Sequence, residues 1–199
     1  MNNFVEVLRT RRSIRRYQNR PVREETVAQL LTAATWAPSA HNRQPWRFVV
    51  IEVRETREQL AAAMGAQLRH DLAADGLPPT AIEKDAARSY NRITGAPLLI
   101  LLCLTLADMD VYPDERRCCN EATMAVQSVA MAGQNLMLAA HSFGLGACWL
   151  CAPLFCPEIV KQVLDLPDEW QPQGLITIGY PAEEKEKPRQ SFHTRVLYR

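Results

Sequence analysis

Hydrophobic residues recur every three to four positions in several segments of the chain, which predicts amphipathic helices. One helix is predicted over about residues 3–10 and a second over about 23–36, where Pro38 stops it. A third, longer helix is predicted over 120–141. Gly144 follows that long helix and suits a left-handed cap at its end.

Two more helices are predicted from the pattern of a hydroxyl residue followed three positions later by Glu or Gln, which is typical of a capping box. Thr56 begins one of these patterns and Thr80 begins the other. The helices are expected to end near Arg69 and Asn91, and a short helix is expected after Pro157.

Apolar runs predict three strands between these helices. Residues 46–53 are rich in β-branched and aromatic side chains. Residues 97–105 are nearly all Leu and Ile, as expected of a fully buried central strand. Residues 174–180 form the third apolar run.

The predicted long helix is small or apolar over much of its circumference, so it is expected to be buried. Its small residues permit another helix to approach closely, which in a chain of this size indicates a partner subunit. One central helix wrapped by its own fold is the alternative. The last twenty residues are mostly polar, and such a tail is either frayed or docked on another surface.

Composition narrows the class of protein. The chain has 199 residues, of which 47% are hydrophobic, which suits one packed domain over residues 1–199. The net charge of +1 gives no indication of a nucleic-acid or membrane partner. Residues 10–13 look like a twin-arginine export signal, but no apolar core follows, so a cytoplasmic enzyme is expected.

The six cysteines do not indicate disulfides, because a chain of this size and composition can form a stable core without covalent cross-links. Cys148, Cys151 and Cys156 are spaced as C-x-x-C-x-x-x-x-C, which leaves a zinc or iron–sulfur site as an alternative. A tetrahedral site needs a fourth ligand, and no second C-x-x-C or paired histidine is present. No metal is therefore expected.

The candidate chemistry lies in two segments near the amino terminus. Residues 11–16 read Arg-Arg-Ser-Ile-Arg-Arg, and four guanidiniums with one hydroxyl can bind an anion such as a phosphate. Residues 37–48 form a Pro-broken, amide-bearing loop that suits the polar rim of a flat ring. Lys187 and Arg189 offer a second cationic pair near the other end. A phosphorylated aromatic cofactor would use both kinds of group: the cations for its phosphate and the loop for its ring.

Common nucleotide and hydrolase motifs are absent from the sequence. No G-x-G-x-x-G, no Walker-type loop and no G-x-S-x-G elbow occurs. These absences disfavour a Rossmann nucleotide site and a serine hydrolase.

Four motifs in the same order resemble the nitroreductase family: residues 11–15, the loop 38–46, the Gly-Leu-Gly-Ala-Cys-Trp run at 144–149, and Gly-Tyr-Pro-Ala at 179–182 followed by Lys-Pro-Arg. The resemblance implies an α+β fold with a central, mostly antiparallel sheet flanked by helices. It also implies an intertwined homodimer that exchanges C-terminal tails and binds FMN at the subunit interface.

The resemblance also assigns site residues. Arg11, Ser13 and Arg15 should hold the phosphate and ribityl chain with Arg12 beside them, and Lys187 and Arg189 should complete the phosphate site. The flavin should be lined by Pro38, Ser39, Ala40 and Asn42, with 38–40 coming from the other subunit. The backbone of Leu150, Cys151 and Ala152 should face the ring's redox edge. No catalytic acid or base is expected.

The implied activity is a ping-pong transfer of hydride from NAD(P)H to a small acceptor such as a nitroaromatic or quinone. Cys151-Ala152 stands where many family members carry an acidic residue and glycine. The 65–95 stretch is more similar to a flavin domain of deazaflavin-cofactor biosynthesis. Reduction of a deazaflavin, a flavin-fragmenting enzyme of cobalamin biosynthesis, and a flavin-binding protein without turnover remain alternatives.

Overall fold

The computed structural model describes residues 4–199, which form four strands in one sheet and six α-helices around it. The strands are β1 (Trp46–Ile51), β2 (Leu98–Leu104), β3 (Gly146–Leu150) and β4 (Gln171–Gly179). The helices are α1 (Phe4–Thr10), α2 (Glu24–Thr35), α3 (Arg54–Ala74), α4 (Pro79–Thr94), α5 (Glu115–Ser142) and α6 (Pro157–Leu164). None of the helices in this part of the chain combines the length and apolarity needed to cross a membrane.

The sheet has the strand order β1-β2-β4-β3, and every neighbouring pair is antiparallel. This confirms the α+β fold with a mostly antiparallel sheet flanked by helices. All seven residues of β2 are buried, which confirms the prediction of a central strand from its unbroken apolar run.

Hydrophobic cores cover both faces of the sheet, because successive strand residues point to opposite sides. Ile100 and Leu102 belong to the core that includes residues of α2 and α5. Leu99 and Leu101 belong to the core that includes residues of α3 and α6. The sheet therefore separates a layer containing α2 and α5 from one containing α3 and α6.

The long helix α5 begins at Glu115, five residues before the predicted start. The Asp114 carboxylate accepts the backbone N–H of Arg117 at 3.0 Å and caps the helix. The first turn is polar, so apolar periodicity gave no sign of it. At the other end Gly144 has φ +75°, which confirms the predicted left-handed cap.

Both capping-box predictions were wrong in position. Helix α3 begins at Arg54 and α4 begins at Pro79, each without a side-chain cap, so Thr56 and Thr80 lie inside the first turn. Proline suits the first turn of a helix, where its missing N–H has no intrahelical partner to lose, and this explains the earlier start of α4.

Several other boundaries also differ from the predictions. Helices α3 and α4 end at Ala74 and Thr94, later than predicted. Strand β1 ends at Ile51, two residues early, and β4 begins at Gln171, three residues early. The predicted start of the first helix at Asn3 lies outside the described residues.

One side of α5 is not covered within a single copy of the chain. Ala125, Val129 and Leu136 are fully buried, whereas Val126 is 44% exposed and Met131 is 38% exposed. The prediction that this apolar helix is buried is therefore confirmed for one side of α5. Burial of its exposed side by a partner subunit stays a prediction.

Candidate functional site

The basic segment, residues 11–16, lies along the outer edge of β3. Ser13 forms a parallel bridge with Ala147, and the Ile14 N–H donates to the Ala147 carbonyl at 3.1 Å. These contacts add a short strand-like stretch to the sheet edge. The arginines are therefore carried on backbone that the sheet holds in place.

Tyr17 fastens the end of the basic segment. Its hydroxyl lies 2.6 Å from the Ile14 carbonyl oxygen and 2.7 Å from Thr177 Oγ1 on β4. Burial raises the pKa of Tyr17 well above its usual range, so this hydroxyl stays protonated. The Arg15 N–H also donates to the Glu183 carboxylate at 2.7 Å, which ties the segment to the chain that follows β4.

Two arginines of the basic segment carry buried nitrogens that lack partners. Within residues 4–199, neither Arg12 Nε nor Arg15 Nε has a hydrogen-bond partner. The Arg12 Nη1 donates instead to the Arg9 carbonyl at 2.5 Å and the Arg11 carbonyl at 2.9 Å. Buried N–H groups normally have acceptors, so these two can take an acceptor that residues 4–199 do not supply; Arg57 Nε, elsewhere in the fold, is likewise without a partner.

The two ends of the chain approach each other at Arg11. Burial and the neighbouring charges of Arg189 and Arg12 lower the pKa of Arg11. Repulsion of this kind requires guanidiniums that lie near each other. The structure thus brings Arg189 of the tail to the basic segment, whereas Lys187 is exposed on the same tail.

The end of β3 carries the predicted redox-edge residues. Leu150 pairs with Leu175 of β4, Cys151 is exposed, and Ala152 starts a 3-10 turn over Ala152–Phe155. Burial raises the pKa of the nearby Cys148 thiol, although the charge of Arg15 and a hydrogen bond with Ser13 act in the opposite direction. The strand therefore connects the basic segment to the predicted redox edge.

The three cysteines of the C-x-x-C-x-x-x-x-C pattern differ in setting. Cys148 and Cys156 are buried and Cys151 is exposed. Among residues 4–199, no group of three His, Cys, Asp or Glu side chains is arranged to hold a metal ion.

A cavity of about 820 Å³ lies beside the basic segment, and a cavity of this size can hold a cofactor. We call it the basic cavity. Its lining residues are Arg15, Arg16, Lys84, Ala87, Arg88, Asn91, Arg92, Glu183 and Lys185. The α4 members of this set were not predicted from the sequence, and their spacing on one helix face was the available signal.

The loop after α2 has a fixed and strained shape. The Ser39 hydroxyl accepts the Gln44 N–H at 3.1 Å, and the Ala40 N–H donates to Ser128 Oγ of α5 at 3.3 Å. Three non-glycine residues have positive φ: His41 (48°), Asn42 (54°) and Gln44 (51°). Pro38 and Asn42 are exposed, so the loop presents its polar rim to the outside.

The loop and the basic segment contact different parts of α5. The loop bonds to Ser128, whereas Thr10, next to the basic segment, lies 2.8 Å from His141 through its hydroxyl. These two helix positions are thirteen residues apart, or about 20 Å along the axis. Within one copy the loop is therefore remote from the basic segment, and the prediction that residues 38–40 serve the other subunit's site stays a prediction.

The antiparallel sheet and the sheet-bound arginine segment match a known class of oxidoreductase enzyme. The Nitroreductase family model matches residues 8–180, and the chain belongs to that family.

Two relatives and one solved structure illustrate the similarity. A protein of Methanothermobacter thermautotrophicus, provisionally named NADH dehydrogenase/NAD(P)H nitroreductase, is 34% identical over 91% of this chain and 78% of its own length. The 5,6-dimethylbenzimidazole synthase of Rhodospirillum rubrum is 36% identical over 89% of this chain and 82% of its own. A provisionally named nitroreductase from Desulfovibrio desulfuricans, solved in complex with FMN, is 28% identical with a TM-score of 0.77, and the match covers 100% of this chain and 98% of that one.

Proposed function

We propose that the protein binds FMN and uses it to pass hydride from NAD(P)H to a small acceptor such as a quinone or nitroaromatic. Donor and acceptor use the site in turn, in a ping-pong cycle. Residues 1–199 act as one FMN-binding domain, and two copies form the working homodimer.

The observation that carries this proposal is the pair of buried, unpartnered guanidinium nitrogens on Arg12 and Arg15. A phosphate monoester carries about two negative charges and offers several strong acceptors, so it suits such donors. Arg11 and Arg189 add cationic charge next to them. A neutral cofactor would leave the mutual repulsion of these guanidiniums uncompensated.

FMN supplies the hydride chemistry when it is bound, and the chain supplies binding, orientation and electrostatics. Arg11, Arg12 and Ser13 hold the phosphate end. Arg15, whose Nε is also unpartnered among the described residues and which lines the basic cavity, would hold the phosphate and ribityl chain with them, and Lys187 and Arg189 would complete the phosphate site. The backbone at residues 150–152 faces the redox edge, and no side chain is assigned as a catalytic acid or base.

A second copy of the chain explains two features that one copy leaves open. Trp36 is 80% exposed and Phe4 is 65% exposed, and both line an apolar groove between α1, α2 and α5. Large exposed apolar side chains of this kind mark interaction surfaces. The same assembly would bring the Asn42 loop of one copy to the basic segment of the other.

The first experiment is an absorbance spectrum of the purified protein, with the released cofactor identified by mass. We expect paired flavin bands that bleach anaerobically with NADH or NADPH and recover with a quinone. Bound flavin that neither donor reduces would reject the cycle and leave a flavin-binding protein without turnover.

A substitution links the spectrum to the site. Arg15→Gln is expected to lower flavin affinity at least tenfold, because it removes a charge-assisted donor. Arg54→Gln is the matched control, since Arg54 is an exposed arginine outside the basic segment and its Nε pairs with Glu58 at 2.8 Å. Equal flavin retention by the two variants would contradict the assignment of Arg15.

A second candidate function has a specific observation in its favour. The relative that is 36% identical is named for synthesis of 5,6-dimethylbenzimidazole. Incubation of the protein with reduced FMN in air, followed by mass analysis for 5,6-dimethylbenzimidazole, separates this reaction from hydride transfer to an external acceptor.

A further inference from the structure

Helix α4 presents a row of cations to the basic cavity. Lys84, Arg88 and Arg92 are spaced i, i+4 and i+8, which places them on one helix face, and all three line the cavity. Eight residues of helix span about 12 Å, so the row extends well beyond a single contact. Asn91 adds an amide to the same wall.

The inner end of the row approaches the basic segment. Burial and the charges of Arg15 and Arg88 lower the pKa of Arg92. Arg92 therefore lies near Arg15, and Lys84 lies about 12 Å further out along α4. The row leads from the proposed flavin site towards the outer part of the cavity.

Positive charge in the cavity is only partly compensated. Six cationic side chains line it, and Glu183 is the one carboxylate among the described residues that do so. Arg88 pairs with Asp85 at 2.8 Å, and Lys185 pairs with Glu183 at 3.0 Å. Within residues 4–199, Lys84 and Arg92 have no carboxylate within 4.0 Å.

One flavin phosphate does not account for both groups of cations. The phosphate site proposed above lies at Arg11 and Arg189, next to the start of β3. Lys84 and Arg88 lie on α4, beyond Arg15 as seen from that site. Since FMN carries a single phosphate, the outer α4 cations have capacity for a different anion.

We propose that Lys84 and Arg88 form a second anion subsite, which binds a phosphate group of the substrate that reacts with the flavin. This inference rests on the proposed function for the identity of the substrate. The phosphate belongs either to the nicotinamide nucleotide donor or to a phosphorylated acceptor. The shared chemistry is a phosphate held by charge-assisted hydrogen bonds from one lysine and one arginine.

The test compares wild type with the double variant Lys84→Gln/Arg88→Gln. Glutamine has a helix propensity similar to that of Lys and Arg, and both side chains are exposed, so α4 is retained. Binding of inorganic pyrophosphate to the protein as purified is measured by calorimetry. We expect the double variant to bind pyrophosphate about 10-fold to 100-fold more weakly, while its flavin content equals that of wild type.

Steady-state kinetics identify the source of the phosphate. If the donor is held, KM rises at least tenfold for NADH and NADPH, or for NADPH alone when the 2′-phosphate is the group bound, and kcat stays within twofold. If the acceptor is held, KM rises for free FMN as acceptor but not for riboflavin, which has no phosphate. Either pattern supports the subsite.

Three results would overturn the subsite. Pyrophosphate binding and every KM could be the same in the double variant as in wild type. The double variant could lose its flavin, which would assign the α4 cations to the flavin site itself. Arg54→Gln could weaken pyrophosphate binding equally, which would reduce the effect to net charge. A wild-type protein that binds pyrophosphate but holds no flavin would instead reject the proposed function and leave the anion subsite standing.

Discussion

Gly174 of β4 is the position where a single methyl group should disturb the centre of the fold. A Cβ placed there would lie 2.3 Å from Cε2 and Cζ2 of the Trp149 ring. Ordinary contacts between carbon atoms are about 3.5–4.0 Å, so the ring would have to move by more than an ångström. A Cβ at Gly133 of α5 would meet the same ring at 2.3 Å, so the helix backbone blocks retreat in that direction.

The expected cost follows from this confinement. Overpacking a closed core costs about 1–3 kcal/mol, and replacing a strand glycine by alanine returns about 0.5–1 kcal/mol. We expect Gly174→Ala to lower the free energy of unfolding by about 1–2 kcal/mol net. For a chain of this length, Tm should fall by about 2–8 °C.

Urea unfolding at fixed protein concentration measures this change, and a double-mutant cycle with Trp149→Phe tests its cause. The smaller ring should make room for the methyl group, so the two changes together should cost about 1 kcal/mol less than the sum of the single costs. Gly65→Ala is the matched control, because its Cβ would meet only the flexible end of Arg69 at 3.3 Å. Additive costs in the cycle would refute the argument from the ring.

Two further predictions concern the anchors of the basic segment. Tyr17→Phe should lower the free energy of unfolding by about 1–3 kcal/mol, because the Ile14 carbonyl loses a buried donor, and urea unfolding measures this. Burial opposes ionisation of Glu183, but the Arg15 N–H and Lys185 outweigh it and hold its pKa below the ordinary 4.5. The extra stability of wild type over Glu183→Gln should therefore be full above pH 4.5 and be lost as the pH falls through the lowered pKa. A stability difference that does not change with pH would contradict this account.

The strongest sequence signals concerned elements whose pattern is set by burial. Helix α2 was found because its apolar residues recur with the helical period, and strand β2 was found because its apolar run is unbroken. Strand β3 was recognised only as a motif, since five residues with two glycine or alanine positions give little periodicity. The start of α5 depends on the side chain of Asp114 and on no apolar residue, which is why periodicity missed it.

In the candidate site, too, some residues could be identified from the sequence and others could not. Arg11 and Arg15 stood out because cations were concentrated in six residues of sequence. Lys84 and Arg88 did not, because two cations one helical turn apart look like any solvated helix face. Only the packing of α4 beside the basic segment turns them into the wall of a cavity, and that depends on contacts between distant parts of the chain.

The basic segment also shields the sheet. Without it, β3 would be an edge strand with free backbone groups, which is a template for pairing with another polypeptide. The arginines therefore belong to a segment whose detachment from β3 would expose an edge strand that is prone to aggregation. Selection for cofactor retention and selection against fibril-like association act here on the same few hydrogen bonds.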